Sequence, residues 1–387
     1  AVAKQYSEWV YPAPIEDLAA WARDHCMVCD PSLHAATIWP DGAPKDKISI
    51  LVAGCGTSQA AILAYTNPQI AVTGIDISAP SLDHAAKLKK KHKLANLDLR
   101  ELDLHEAAGL GRFDLIYATG VLHHLPEPRA GLAALARATA DNGVLCLSFY
   151  AKHARAGIYM VQDALRRLKL GQKPEDAALT RKILEILPPW HPAQFYMRGA
   201  ARDLAFDGGI VDTFLHAEDR GFDVPGILQL TASCNLAFQG WTDNLDYYPD
   251  GAMMPDHPAF ARISALPDEE QWAAMELLGV FCGAHSFLLR KAGDGKAPRP
   301  DFVGSDFLRW IPARRHLLDM REEGNVLQLS RSWHRLALGG FERDLFLAID
   351  GAAECGAIIA ARKGNEEKTR AFFARLWRLG HVTFRKA

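Results

Sequence analysis

Gly54 and Gly56, in Gly54-Cys55-Gly56-Thr57, stand where a short apolar run ends and a helical pattern begins. Glycine at such a turn lets the backbone approach a ligand closely, and the helix N-terminus offers N–H groups that intrahelical bonds leave free. The turn alone suits a dinucleotide, a phosphate or a carboxylate. Asp76 follows Gly56 by twenty residues, at the end of a second apolar run. An acidic side chain there accepts hydrogen bonds from both hydroxyls of a ribose. Asp103 ends a third run, where a carboxylate can accept from an adenine amino group. A pair of turn glycines and a turn aspartate is the purely structural alternative. Their joint placement favours a nucleoside site.

The dinucleotide fingerprint wants G-x-G-x-x-G/A. Counted from Gly54, the third small position holds Gln59, with Ala60 just after it. Other residues suit an acceptor pocket. His123 and His124 follow a fourth apolar run, at the carboxyl end of the strands where α/β ligands bind. A histidine there can act as a general base, because imidazole titrates near neutral pH; the alternative is loop support. Tyr150 and His153 end a fifth run beside the same crevice. Asp212 and His216 lie four apart and share a face if that stretch is helical. Tyr6 and Tyr11 precede the fold, as packing anchors or as aromatics that close over a site. Cys26 and Cys29 form a lone C-x-x-C without the second pair a zinc site wants, so no metal is expected.

The elements that must position these residues alternate. Residues 48–53, 70–75, 97–102, 113–118 and 144–150 read as strands, and 59–65, 81–93 and 129–140 as helices. Strands alternating with helices mean parallel pairing, hence an α/β doubly wound sheet. Residues 154–205 break the rhythm as a helical insertion, and the sheet resumes with a helix at 224–234 and strands at 236–241 and 281–290. The run 291–300, rich in glycine, proline and charge, reads as a linker. Helices at 341–349, 355–362 and 365–379, then a strand at 381–385, suggest a small winged-helix-like C-terminal domain. The division is an N-terminal cap at 1–47, a main domain at 48–292 and an α+β accessory domain at 301–387.

Composition narrows the class. The 387 residues suffice for two to three domains, and 49% hydrophobic with 23% charged residues is ordinary for a globular protein. A net charge of −2 argues against a nucleic-acid partner. No run approaches the ~18 apolar residues of a spanning helix, so no membrane partner is expected. Seven scattered cysteines, and a start without the basic-then-apolar pattern of a signal peptide, fit a reducing, cytoplasmic compartment. Homo-oligomer formation stays open.

Val52-Ala53-Gly54-Cys55-Gly56-Thr57, Gly74-Ile75-Asp76-Ile77-Ser78, Leu102-Asp103-Leu104, Phe113-Asp114-Leu115-Ile116 and Gly120-Val121-Leu122-His123-His124-Leu125 together resemble the class I S-adenosylmethionine-dependent methyltransferases. The likeness covers residues 48–150 and is of bacterial type. It implies a Rossmann-like sheet and S-adenosyl-L-methionine as cofactor. It further implies that Gly54, Cys55 and Gly56 wrap the methionine part and that Asp76 holds the ribose, with Ile77 against the adenine. Asp103 and Leu104 would flank the adenine edge, and Thr119 and Gly120 would offer backbone to the amino-acid end. Many members carry a third glycine near positions 58–60, which this chain lacks. A looser likeness to a bacterial methyltransferase subgroup continues through residues 212–225 and 285–290. Residues 347–351 are similar to a small domain found behind some bacterial protein-methylating enzymes.

Methyl transfer is an in-line displacement, so the protein mainly positions the nucleophile and excludes water. Tyr6, His123, His124, Tyr150, Asp212 and His216 are the candidates at the acceptor, a nucleophilic nitrogen or oxygen of a small molecule. A protein side chain, lysine-type, is the rival acceptor. A non-catalytic nucleoside-binding module and a nicotinamide-dependent oxidoreductase are the alternatives from other classes.

Overall fold

The structure, a computed structural model, describes residues 5–6, 8–44, 47–200, 202–279, 283–293, 297–361 and 365–387. The expected strand start at Phe281, part of the 291–300 linker and the expected helix stop near Gly364 lie outside them.

Seven strands form one sheet in the order β3-β2-β1-β4-β5-β7-β6. They are β1 (Ser49–Ala53), β2 (Ala71–Asp76), β3 (Leu97–Glu101), β4 (Phe113–Thr119), β5 (Thr139–Tyr150), β6 (Leu236–Trp241) and β7 (Ala284–Lys291). Strands β1 to β5 pair in parallel, and β7 runs antiparallel to β5. This is a Rossmann-like, doubly wound sheet with an antiparallel strand beside β5. Ile50, Leu51, Val52 and Ala53 expose nothing, which is why β1 reads as a continuous apolar run rather than an alternating one. Asp114 fixes the start of β1 against β4, accepting from the Ser49 N–H at 2.9 Å and from its hydroxyl at 2.8 Å. Strand order reverses between β1 and β4, and that switch point sets the crevice at the strands' carboxyl ends.

The helix Gln59–Thr66 buries five consecutive residues, Ala60 to Ala64. Small side chains let it lie close on the sheet. The helix Pro128–Ala138 ends earlier than its sequence pattern suggests, and 139–143 extends β5 instead, with a register shift opposite Phe113. In the insertion, the helices Ala156–Arg167, Pro174–Glu185 and Ala193–Gly199 share a core built on Ile158, Val161, Leu165, Leu184 and Phe214. A further helix, Asp207–Phe214, carries Asp212.

The chain divides into two compact units that do not follow chain order. The first comprises residues 1–30, 44–238 and 280–295, and the second 31–43, 239–279 and 296–387. In the second unit, β8 (Trp310–Arg314) pairs antiparallel with β12 (Val382–Lys386). Strands β9 (Asp319–Glu323), β10 (Val326–Arg331) and β11 (His334–Gly339) form a separate antiparallel meander. The helices Gly340–Leu347, Cys355–Ala361 and Glu366–Arg378 pack with these strands around Phe307, Leu329, Phe346 and Phe373. A winged-helix pattern of three helices and a strand accounts for the helices and β12 but not for β8 to β11. Those strands complete a small sheet domain. No helix among the described residues is long and apolar enough to cross a membrane.

Candidate active site

A cavity of about 370 Å³ opens at the carboxyl ends of β1, β2 and β4. That volume lies in the range of small-molecule sites. Gly54, Gly56, Asp76, Ile77, Asp103, Leu104, Thr119 and Gly120 line one part of it. Gly54 adopts φ +69°, and a Cβ there would meet Val121 Cγ2 at 2.5 Å. Asp76 Oδ2 accepts from the Gly56 N–H at 2.8 Å, and Oδ1 from the Ser78 N–H at 2.9 Å. Burial raises this carboxyl above the usual range, against the pull of those N–H groups. Each oxygen keeps a lone pair for a hydroxyl. Asp103 is held below its ordinary value: partial burial raises it, but His105 outweighs that through its N–H at 2.8 Å and Nδ1 at 2.6 Å.

Cys55 does not line the cavity; its buried thiol, which burial pushes well up, packs toward Gly74. It sits in the glycine turn as expected, but only its backbone is placed to serve a ligand. Gln59 occupies the place of the missing small residue. Its Nε2 donates to Thr119 Oγ1 at 2.6 Å, tying the helix start to the end of β4. A Cβ on Gly120 would meet no protein atom within 4 Å, so the lining there leaves room for a ligand group. These residues fit an adenosyl amino acid.

Tyr6, Tyr11, His124, Tyr150 and Asp212 line the rest of the cavity. Tyr6 Oη donates to Asp212 Oδ1 at 3.0 Å, and Tyr150 Oη approaches Asp212 Oδ2 at 3.3 Å. Burial pushes Asp212 up to about 7 although both phenols stabilise its charge. His216 Nδ1 accepts from the Glu218 N–H at 3.0 Å, so the neutral ring carries its proton on Nε2, 3.3 Å from Tyr6 Oη. His124 has the opposite tautomer. Its Nδ1–H donates to the Glu218 carbonyl at 2.8 Å, which leaves the Nε2 lone pair unprotonated. The two rings stack with centroids 3.8 Å apart. Burial lowers His124 to about 4 and His216 to about 3, so both are neutral at pH 7.

His124, Asp212 and His216 offer ligand atoms within 4.8 Å of one another. Their hydrogen bonds suit proton handling better than a metal. An ion on His216 Nε2 would need that nitrogen stripped of its proton while Nδ1 still accepts from the backbone. The helix carrying Asp212 stops at Phe214, so Asp212 and His216 meet through Tyr6 rather than on one helical face. His123 does not line the cavity; it is buried against Tyr150, ring centroids 3.9 Å apart. His153 does not line it either.

Arg155 is the residue that sequence reasoning missed. Its guanidinium lies 3.7 Å over the Tyr150 ring. Nη1 donates to Tyr196 Oη at 2.7 Å and Nη2 to Asp219 Oδ2 at 2.9 Å. Neither Arg155 nor Asp219 exposes any side-chain surface. In sequence it is one basic residue among several in Lys152-His153-Ala154-Arg155, and nothing local marks it as buried.

Residues 51–145 match the family described as a methyltransferase domain. With the sheet order and the crevice, this makes residues 51–145 a methyltransferase domain of the class I fold, of the kind that takes S-adenosylmethionine as cofactor. An uncharacterised protein of Synechococcus is 30% identical over 268 residues, covering 66% of this chain and 62% of that protein. The trans-aconitate 2-methyltransferase of Deinococcus radiodurans is 38% identical over 104 residues, 27% of this chain and 38% of that enzyme. The chain thus spans less than two thirds of either relative. Among solved structures, PKMT2 from Rickettsia typhi superposes with a TM-score of 0.66 at 14% identity, covering 97% of this chain and 76% of that one. A second structure of PKMT2 is a complex with AdoHcy. At that identity the likeness is one of fold.

Proposed function

We propose that this protein transfers the methyl group of S-adenosylmethionine to a nucleophilic nitrogen or oxygen of a small-molecule acceptor held among Tyr6, Tyr11, His124, Tyr150 and Asp212. The observation that carries this reading is the unprotonated Nε2 of His124, in the same cavity as the expected cofactor residues. Asp76 receives the ribose hydroxyls, Ile77 and Leu104 pack on the adenine, and Asp103 accepts from its amino group. The backbone of residues 54–56 and 119–120 takes the methionine part. When bound, the cofactor supplies a methyl group made electrophilic by its sulfonium. His124 Nε2 takes the acceptor's proton, and Tyr6 and Tyr150 fix the Asp212 carboxylate.

A small acceptor is favoured because the N-terminal segment and the helix Asp207–Phe214 both contribute lining, through Tyr6, Tyr11 and Asp212. A protein side chain is the second reading. Near-neutral charge disfavours a nucleic-acid acceptor. Six free cysteines among the described residues support a reducing, cytoplasmic setting. Residues 48–292 are read as the catalytic domain, capped by 1–47, and 301–387 as an accessory domain.

Parallel calorimetric titration with S-adenosylmethionine, S-adenosylhomocysteine and NAD tests the reading. The first two bind and NAD does not; the reverse overturns it. Asp76→Ala weakens binding of the first two by about 1.5–3 kcal/mol, the range for hydrogen bonds to a charged group. An unchanged affinity would show that the ribose site is misplaced.

A further inference from the structure

We propose that the methyl acceptor is an amine that enters as its ammonium, anchored by the Asp212 carboxylate among the rings of Tyr6, Tyr11 and Tyr150 and deprotonated by His124 Nε2. The inference rests on the methyltransferase reading and narrows its substrate class.

Charge accounting at the cavity leads to it. Among the described residues, three carboxylates line the cavity, Asp76, Asp103 and Asp212, and no lysine or arginine does. Asp76 and Asp103 belong to the cofactor end. Asp212 is left over, at the acceptor end. It is 2% exposed and makes no ion pair among the described residues. The nearby cation, Arg155, spends its terminal nitrogens on Asp219 and Tyr196. A buried carboxylate facing a cavity without a cation of its own is complementary to a cationic ligand.

The hydrogen bonds agree. Both Asp212 oxygens meet a phenol hydroxyl, an arrangement suited to the ionised carboxylate. Burial opposes that ionisation, and an ammonium beside the group would offset the penalty. Aromatic rings around a cation add to its binding through their quadrupoles. The same lining disfavours anionic acceptors. A carboxylate or phenolate acceptor would meet Asp212 as a like charge, with no cation among the described lining residues to hold it.

The step balances. The N–H bond of the ammonium breaks, its proton goes to His124 Nε2, and the nitrogen keeps the pair. That pair forms the N–CH3 bond as the C–S bond breaks, and the C–S electrons pass to sulfur, leaving a neutral thioether. The product is the methylated ammonium.

The test uses the full chain saturated with S-adenosylhomocysteine. It is titrated with phenethylammonium, 2-phenylethanol and 3-phenylpropanoate, and binding is followed by ligand-observed NMR. The ammonium binds at least about tenfold more tightly than either analogue, and Asp212→Asn abolishes that preference. S-adenosylhomocysteine affinity stays unchanged in the variant, which certifies its fold, and S-adenosylmethionine affinity stays unchanged too, which separates acceptor recognition from recognition of the cofactor's sulfonium. Tyr11→Leu keeps the carboxylate, removes one ring and lowers ammonium affinity about threefold or more. With S-adenosylmethionine carrying a labelled methyl group, the label appears on the amine nitrogen. Equal binding of the alcohol or the carboxylate, no ammonium binding to the loaded protein, or an unchanged preference in both variants overturns the inference. Failure of the wild type to bind S-adenosylhomocysteine overturns the underlying methyltransferase reading instead.

Discussion

Tyr6 Oη lies 3.0 Å from Asp212 Oδ1 and 3.3 Å from His216 Nε2, joining residues 206 and 210 positions apart in the chain. The tautomers order the junction: His216 Nε2–H points to the phenol oxygen, and the phenol O–H points to the carboxylate. Tyr6 is therefore a positioning residue for Asp212. Tyr6→Phe leaves a buried carboxylate oxygen without a donor, a loss of about 1–3 kcal/mol in folding stability. Methyl transfer falls about tenfold or more, while S-adenosylhomocysteine affinity moves less than twofold. Steady-state kinetics and calorimetry on one preparation check both halves. An equal loss of cofactor affinity would mean that Tyr6 belongs to the cofactor site.

Gly54 and Gly120 both need positive φ, at +69° and +76°, but their surroundings differ. A Cβ on Gly54 collides with Val121, whereas one on Gly120 meets no protein atom within 4 Å. Gly54→Ala therefore lowers the melting temperature and cofactor affinity together. Gly120→Ala carries only the left-handed strain, about 1 kcal/mol, and spends its effect on affinity by occupying cavity space. Thermal melts with and without S-adenosylhomocysteine separate the two. The same ligand-induced stabilisation in Gly120→Ala as in the wild type would contradict the cavity assignment.

The part of this cavity proposed for the cofactor was legible because its pieces are local. A strand, a glycine turn and an acidic strand end leave their marks within a few residues, as Gly54, Gly56 and Asp76 do. The acceptor half is assembled from segments far apart in sequence. Tyr6, His124, Tyr150 and Asp212 were recognisable as candidates by residue type, but their meeting depends on packing. Arg155 left no mark at all, since its burial depends on Asp219 and Tyr196 arriving from elsewhere. In the second unit, β9 was hidden because Asp319–Glu323 is exposed throughout and shows no apolar alternation. β10 and β11 do alternate, with Leu327, Leu329, Leu336 and Leu338 buried, and that pattern was the available signal.

The buried imidazoles set the acid limb of stability. His124 and His216 have folded values near 4 and 3, below the ordinary 6.5. Below about pH 6.5 the unfolded chain binds protons that the folded chain refuses, so stability falls as pH drops toward 4. Asp212 acts with the opposite sign. Its folded value near 7 lies above the ordinary 3.8, so its contribution is present at low pH and lost as pH rises through 7. Within this cluster, two histidines against one aspartate leave a net loss on acidification, on the order of a few kcal/mol, and His123 and His381, both lowered by burial, add to it. Melting temperatures between pH 4 and 8 show this limb, and His216→Gln makes it shallower. An acid limb of unchanged slope in that variant would assign the loss to other groups.

The buried Arg155–Asp219 pair underlies the acceptor half, because its guanidinium backs the Tyr150 ring whose hydroxyl reaches Asp212. Desolvating both ions consumes much of their attraction, so the intact pair adds little net stability, whereas removing one partner strands the other. Arg155→Met therefore costs about 3–5 kcal/mol, more than a typical core substitution. Asp219 keeps a hydrogen bond from Gln162 Nε2 at 2.7 Å, which moderates the loss without neutralising the charge. The double variant Arg155→Met with Asp219→Leu regains most of the stability, since no buried charge remains. It does not regain methyl transfer, because Tyr150 loses the planar group stacked behind it. Urea unfolding of the two single variants and the double variant gives the coupling energy, and kinetics on the double variant give the functional half. A double variant as unstable as Arg155→Met would show that the arginine stabilises by packing. Full activity in that variant would remove Arg155 from the positioning of Tyr150.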